Sequence, residues 1–175
     1  ATHADQQWQG DLLFLPDLAY FNKGFKIALV CIDVLSRFAW GELMKNKDAT
    51  STTNAFHSIL KRANPRKPDK LQTDKGTEFT NKQFQLFCKD NSIHFFTTHS
   101  DFKAALAERF IRTIKTKIYQ YMDDNATNTY YDKFQALIDS YNSTVHSKIQ
   151  MAPRDVNDEN IPQVLNRLYG ERWFS

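Results

Sequence analysis

The sequence predicts an α/β fold built on a five-stranded mixed sheet with helices on both faces. Three observations predict it. Apolar segments at 8–15, 26–34 and 37–44 follow one another with only turn residues between them, as an antiparallel meander requires. Short apolar segments at 70–74 and 93–97 are each preceded by a stretch of helical periodicity, and helix-linked strands run parallel through right-handed crossovers. The rest reads as helices at about 102–122, 130–143 and 161–169, so the order is βββαβαβαα.

Each element has a local reason. In the first strand Trp8, Gly10, Leu12 and Phe14 share one face, and Gln9, Asp11, Leu13 and Leu15 the other. Pro16, Asp17 and Asn22-Lys23-Gly24 supply turn chemistry after it. The run KIALVCIDV is almost continuously apolar and β-branched, which suits a central strand covered on both faces. A tight turn at Leu35-Ser36 leads to the third strand. Asp48 caps a helix whose Thr52, Ala55, Phe56, Ile59, Leu60 and Ala63 recur at helical spacing, and Pro65 and Pro68 stop it. Thr80 and Gln83 match a capping box that opens a helix through about Cys88. On the long helix, Leu106, Phe110, Ile114, Ile118 and Tyr121 fall on one face. Glu108, Arg112, Lys115 and Tyr119 lie within about 60° of each other on the opposite side, bordered by Ala104 and Ala105.

The 175 residues fit one domain, 1–175, with a core proper at about 8–156 and a helical extension at 157–175. No apolar run reaches the roughly 18 residues of a membrane span, and the polar start ATHADQQ lacks the regions of a signal peptide. Cys31 and Cys88 read as buried free thiols of an intracellular protein. The net charge of +3 says little about partners; its placement says more. Lys61, Arg62, Arg66, Lys67 and Lys70 cluster between two elements, and Lys103, Arg109, Arg112, Lys115 and Lys117 crowd one helix.

Three acids are the candidate site. Asp11 interrupts a strand apolar on both faces, where a charge costs several kcal/mol unless paired or metal-bound. Asp74 stands at the carboxyl end of a strand, where open α/β sheets bind ligands, though an Asp before Gly also simply opens turns. Glu108 lies among basic residues on a helix, where a Glu108–Arg112 pair on a solvated face is the plainer reading. Together the three suit Mg²⁺ or Mn²⁺, with phosphate oxygens completing the shell. Asp33 and Glu78 are rival acids; Asp33 is expected to orient the turn before Arg37, and Glu78 to face solvent. The histidines and cysteines show no zinc spacing, and there is no Walker motif. His99 is placed to touch substrate, and His146 reads as structural.

With these residues in hand, the chain resembles the catalytic core of retroviral-type integrases, and within them the integrases of Maverick/Polinton-type DNA transposons. The segments that carry the resemblance are Trp8-Gln9-Gly10-Asp11, Ile32-Asp33-Val34-Leu35-Ser36-Arg37, Leu71 through Phe79, Lys103 through Lys115, Tyr141-Asn142 through His146, and Met151-Ala152-Pro153. The resemblance implies an RNase H-like fold and a D,D,E metal site of Asp11, Asp74 and Glu108, with Mg²⁺ or Mn²⁺ as cofactor and two ions held when DNA is bound. It implies that water trims the 3′ end of the element DNA and that the new 3′-hydroxyl attacks target DNA. Arg112 and Lys115 match positions that contact element ends; Lys103, His99 and Tyr119 are further candidate DNA contacts. A mobile active-site loop at 97–103, a homodimer of the core, higher oligomers of a longer protein, and a nuclear setting also follow from it. Lys75 stands where Asn commonly follows the second acid, and the interval from Asp74 to Glu108 is shorter than is usual in retroviral members. The competing readings are a domesticated domain that binds DNA or protein without catalysis, and an RNase H-like nuclease that only hydrolyses.

Overall fold

The computed structural model describes residues 1–98 and 104–170. Five strands form one sheet: β1 (Gln7–Phe14), β2 (Ile27–Asp33), β3 (Ala39–Met44), β4 (Lys70–Thr73) and β5 (His94–Thr97), in the spatial order β3-β2-β1-β4-β5. β1 pairs antiparallel with β2, and β2 with β3. β4 runs parallel to β1 and to β5. This is the expected meander plus parallel strands. β2 is buried at every position, as its unbroken apolar run requires.

The faces of β1 sort the molecule into two layers. Trp8 and Leu12 enter a core beneath α1 (Ala49–Ala63) and α3 (Lys82–Asp90), with Phe56, Ile59, Phe79 and Phe84. Trp8 stacks on Trp40 of β3 at 4.1 Å between ring centres. Leu13 and Leu15 enter the opposite core, beneath α4 (Ala105–Asp124) and α5 (Phe134–Asn142), with Phe110, Ile114, Ile118 and Phe134. α5 lies flush on β3 at Gly41, where a Cβ would stand 2.7 Å from Ile138 Cδ1 and 3.0 Å from the Phe134 ring. Buried Asn142 fixes that contact by exchanging two 2.9 Å hydrogen bonds with the Ala39 backbone. A smaller core joins Leu35 and Ile149 to Val164 and Leu165 of α6 (Ile161–Tyr169).

Several boundaries differ from the expected ones. The Thr80–Gln83 capping box does not form. A one-turn helix, α2 (Thr77–Thr80), comes first, and Asn81 then caps α3 by accepting the Phe84 N–H at 2.8 Å. The third strand starts at Ala39 because Arg37 turns the chain at φ +64°. The helix expected from 130 begins at Phe134. The buried stripe of α4 is Ala107, Phe110, Ile114, Ile118 and Met122, with Leu106 and Tyr121 only at its margins, so the core face is rotated by part of a turn from the one expected. Asp48 caps α1 as expected, accepting the Ser51 N–H at 2.7 Å.

Candidate active site

Asp11 and Asp74 meet through strand register. The parallel ladder pairs Gln9 with Gln72. Continued two residues further, it sets Asp11 beside Asp74 on the same face of adjacent strands, since alternate residues share a face. Gly10, on the opposite face, lies against Thr73, whose Cγ2 is 3.5 Å from where a Cβ would stand. Asp11 is half-buried on the α4 side, and Asp74 is exposed just past the end of β4.

Glu108 is brought to the same end of the sheet by a cap from another element. α4 has no side-chain cap of its own at Ala104. Gln9 supplies it: its Oε1 accepts the Leu106 and Ala107 N–H groups at 2.9 and 3.2 Å. Gln72 orients that amide, its Oε1 accepting from Gln9 Nε2 at 3.3 Å and from Gln7 Nε2 at 2.7 Å. One strand thus carries one acid and, two residues earlier, fixes the helix that carries another. Gln9 is the positioning residue that sequence reasoning missed, because cap signals are sought next to the helix they cap.

The electrostatics report the convergence. The Asp11 carboxyl is pushed up to about 6. Burial is the main cause; the Leu12 N–H, donating to Oδ1 at 2.8 Å, opposes it, and the charges of Asp74, Glu108 and Glu78 add to it. Glu78 was expected in solvent. It is half-buried, with its carboxylate folded back against the Cα of Gly76, where any Cβ would collide with it. A fourth carboxylate therefore belongs to this corner, and a glycine two residues before it makes the room. Asp74 Oδ1 meanwhile accepts the Gly76 N–H at 2.9 Å, closing the local turn.

The donor set is carboxylate oxygen alone, the chemistry that Mg²⁺ takes. The push of Asp74, Glu108 and Glu78 on Asp11 is of the kind that a divalent cation would relieve. Among the described residues, no three His, Cys, Asp or Glu side chains stand close enough to hold one ion in their present rotamers.

On α4 the basic face continues from Glu108 through exposed Arg112, half-buried Lys115 and exposed Tyr119. Ala104, expected at the edge of this face, is buried in the core instead. Lys103 and His99 lie outside the described residues. The other basic cluster is largely structural. Arg66 pairs with Asp5 at 2.9 Å and Asp33 at 3.5 Å and lies over Phe38 and Trp40, while Arg62 pairs with Glu42. Asp33 is fully buried and accepts from Ser36 and from the Asp5 N–H, as befits an organiser of the turn before Arg37. His146 bridges to Met151 and stays structural.

Comparison with known proteins gives a consistent picture. The family model described as integrase core domain matches residues 1–101. A transposon-derived protein of Caenorhabditis elegans is 30% identical over 135 residues, covering 77% of this chain and 47% of its own length. The chain therefore spans about half of that curated relative. Among solved structures, the HTLV-2 integrase catalytic core in complex with magnesium superposes with a TM-score of 0.73 at 22% identity, covering 87% of this chain and 95% of that one. The simian T-cell lymphotropic virus intasome in complex with PP2A regulatory subunit B56 gamma gives a TM-score of 0.78 at 19% identity, over 88% of this chain and 54% of that one. At these identities the structural likeness shows the fold, which is RNase H-like.

Proposed function

Because this chain belongs to the integrase core domain family, we propose that it is the catalytic core of a metal-dependent DNA strand transferase that trims element 3′ ends and joins them to target DNA. The observation that supports this is geometric: the β1–β4 register sets Asp11 beside Asp74, and Gln9, two residues before Asp11, caps the helix whose first turn carries Glu108. Asp11, Asp74 and Glu108 are the proposed ligands of Mg²⁺ or Mn²⁺, two ions with DNA bound, and Glu78 is a spare carboxylate beside them. When bound, such ions activate the attacking oxygen and stabilise the leaving one.

The chain's own part is positioning. Gln9 and Gln72 fix the angle at which α4 presents Glu108. Arg112 and Lys115, one and two turns beyond Glu108, hold the phosphodiester backbone, and Tyr119 extends the same face toward sugar or base. A Maverick/Polinton-type element, a nuclear setting, and Lys103 and His99 as further DNA contacts belong to the same proposal.

Two outcomes test it. Asp74→Asn is expected to abolish Mn²⁺-dependent strand transfer on an oligonucleotide substrate while leaving folding and most DNA affinity intact; retained transfer removes Asp74 from the ligand set. HTLV-2 integrase cores form dimers and trimers with magnesium, and this core is proposed to form a dimer. Sedimentation at micromolar concentration that finds only monomer removes the dimer.

A further inference from the structure

A second site lies on the other side of α4. A cavity of about 530 Å³ opens between the β2–β3 turn, the first half of α4 and the segment after α5. Its size falls within the roughly 300–1,000 Å³ of ligand clefts. Arg37, Arg109, Lys117 and Lys148 line it, together with the hydroxyl-bearing Thr113 and Thr144. No acid lines it. Among the described residues, none of the four cations takes part in an ion pair; the arginine salt bridges use Arg62, Arg66 and Arg154.

Helical phase separates this cavity from the acids. Arg109, Thr113 and Lys117 recur at intervals of four, on a stripe centred roughly 140° around the helix from that of Glu108, Arg112 and Lys115. The proposed active-site face therefore does not use these residues.

Two observations mark the cavity as built for an anion. Arg37 is held in place by its backbone and by a guanidinium hydrogen bond to the Val34 carbonyl, while Tyr141 donates its hydroxyl to the Arg37 carbonyl. Yet its Nε is buried with no hydrogen-bond partner. A buried N–H without an acceptor is costly, so such a group calls for one. The cations also act on one another: after burial, Arg37, Arg109 and Lys148 each push the His146 imidazole down, and Arg109 lowers Arg37 against the opposing effects of Tyr169, Tyr141 and Asp33. Arg37 is half-buried with its Nε out of reach of water, while half-buried Lys117 and exposed Arg109 and Lys148 complete the basic lining of the hollow.

We propose that this cavity binds a phosphate group, with Arg37, Arg109, Lys117 and Lys148 as its cationic wall. Its occupant is either a backbone phosphate of DNA passing along α4, which rests on the strand-transferase reading, or a free phosphate, which does not. Arginine suits either, since its planar fork matches phosphate oxygens.

The test uses the whole chain with EDTA present, so that the acids play no part. Inorganic phosphate and pyrophosphate are titrated by calorimetry at constant ionic strength against wild type, Lys148→Glu, Arg109→Glu and a distant control, Lys89→Glu. Lys148, Arg109 and Lys89 are all exposed, and circular dichroism checks each fold, with Lys148→Ala standing in for any variant that fails it. Saturable binding weakened at least tenfold by Lys148→Glu and Arg109→Glu, but not by Lys89→Glu, is the expected result. Duplex DNA that competes with phosphate identifies the backbone as occupant; duplex that does not compete leaves a free phosphate. Equal binding by wild type and all three variants, or no saturable phosphate or duplex binding sensitive to Lys148 and Arg109, overturns the proposal. Phosphate binding that persists while duplex binding is absent altogether would count against the strand-transferase reading and leave this site standing.

Discussion

Asp11 shows how a half-buried carboxyl strains the fold that holds it. Its carboxyl sits at about 6 against an ordinary 3.8, chiefly through burial and then through neighbouring acids. A raised carboxyl binds its proton more tightly in the folded chain than in the unfolded one. Between about pH 4 and pH 6 the native state therefore carries more protons, and stability falls as pH rises through that window and levels off above it. At about 1.4 kcal/mol per pH unit the full penalty is about 3 kcal/mol; partial solvent access reduces it to about 1–2 kcal/mol. Asp11→Asn removes the charge and keeps the shape. In EDTA at pH 7–8, urea unfolding is expected to find this variant more stable than wild type by about 1–2 kcal/mol, with the advantage shrinking toward pH 4. A variant of equal or lower stability at pH 7–8 would mean that burial and the neighbouring acids do not disfavour the Asp11 charge.

α4 depends on a cap it does not encode. Gln9, from the first strand, takes the place of a local N-cap and fixes Leu106 and Ala107. A side-chain cap contributes about 0.5–2 kcal/mol. Gln9→Ala is expected to cost about 1 kcal/mol in urea unfolding and to lower the kcat of strand transfer more than DNA affinity, because Glu108 loses its register to Asp11 while Arg112 and Lys115 stay on their helix. Equal losses in both would make Gln9 a general stability residue. This cap also marks where the sequence stops being legible. The unbroken run of β2, the Asp48 cap and the parallel later strands could be read because each signal is local and periodic. Gln9 could not, because its partners lie about a hundred residues away. The Thr80–Gln83 box failed because Asn81, one residue later, is itself a strong cap and sits where the chain re-enters the helix. The three acids were legible as candidates and Glu78 as their rival, but its place was not: it was expected in solvent, and only the fold shows it turned back over Gly76. Arg66 was visible as charge, and only the tertiary structure shows it committed to Asp5 and Asp33.

The whole molecule converts distant segments into one electrostatic unit. Asp11 comes from β1, Asp74 from the end of β4, and Glu108 from the first turn of α4, and the sheet order places β1 directly beside β4. Nothing of this arrangement survives in the unfolded chain, so a cation bound by all three stabilises the native state alone. The gain grows as RT ln(1 + [L]/Kd), about 2.7 kcal/mol at a hundredfold excess over Kd. For a chain of this size each kcal/mol moves the melting temperature by about 2–4 °C. Saturating Mn²⁺ is therefore expected to raise the Tm of wild type by about 5–10 °C over EDTA. The two acid variants separate the causes of that rise. Asp11→Asn is expected to melt higher than wild type in EDTA, since a buried charge and its repulsion are gone, and to respond little to Mn²⁺, since a ligand is gone with it. Glu108→Gln is expected to lose most of the Mn²⁺ response with a smaller change in EDTA, because Glu108 contributes only part of the push on Asp11. If Mn²⁺ raises the Tm of Glu108→Gln as much as that of wild type, α4 does not supply a ligand, and the cation is held by the strand acids alone.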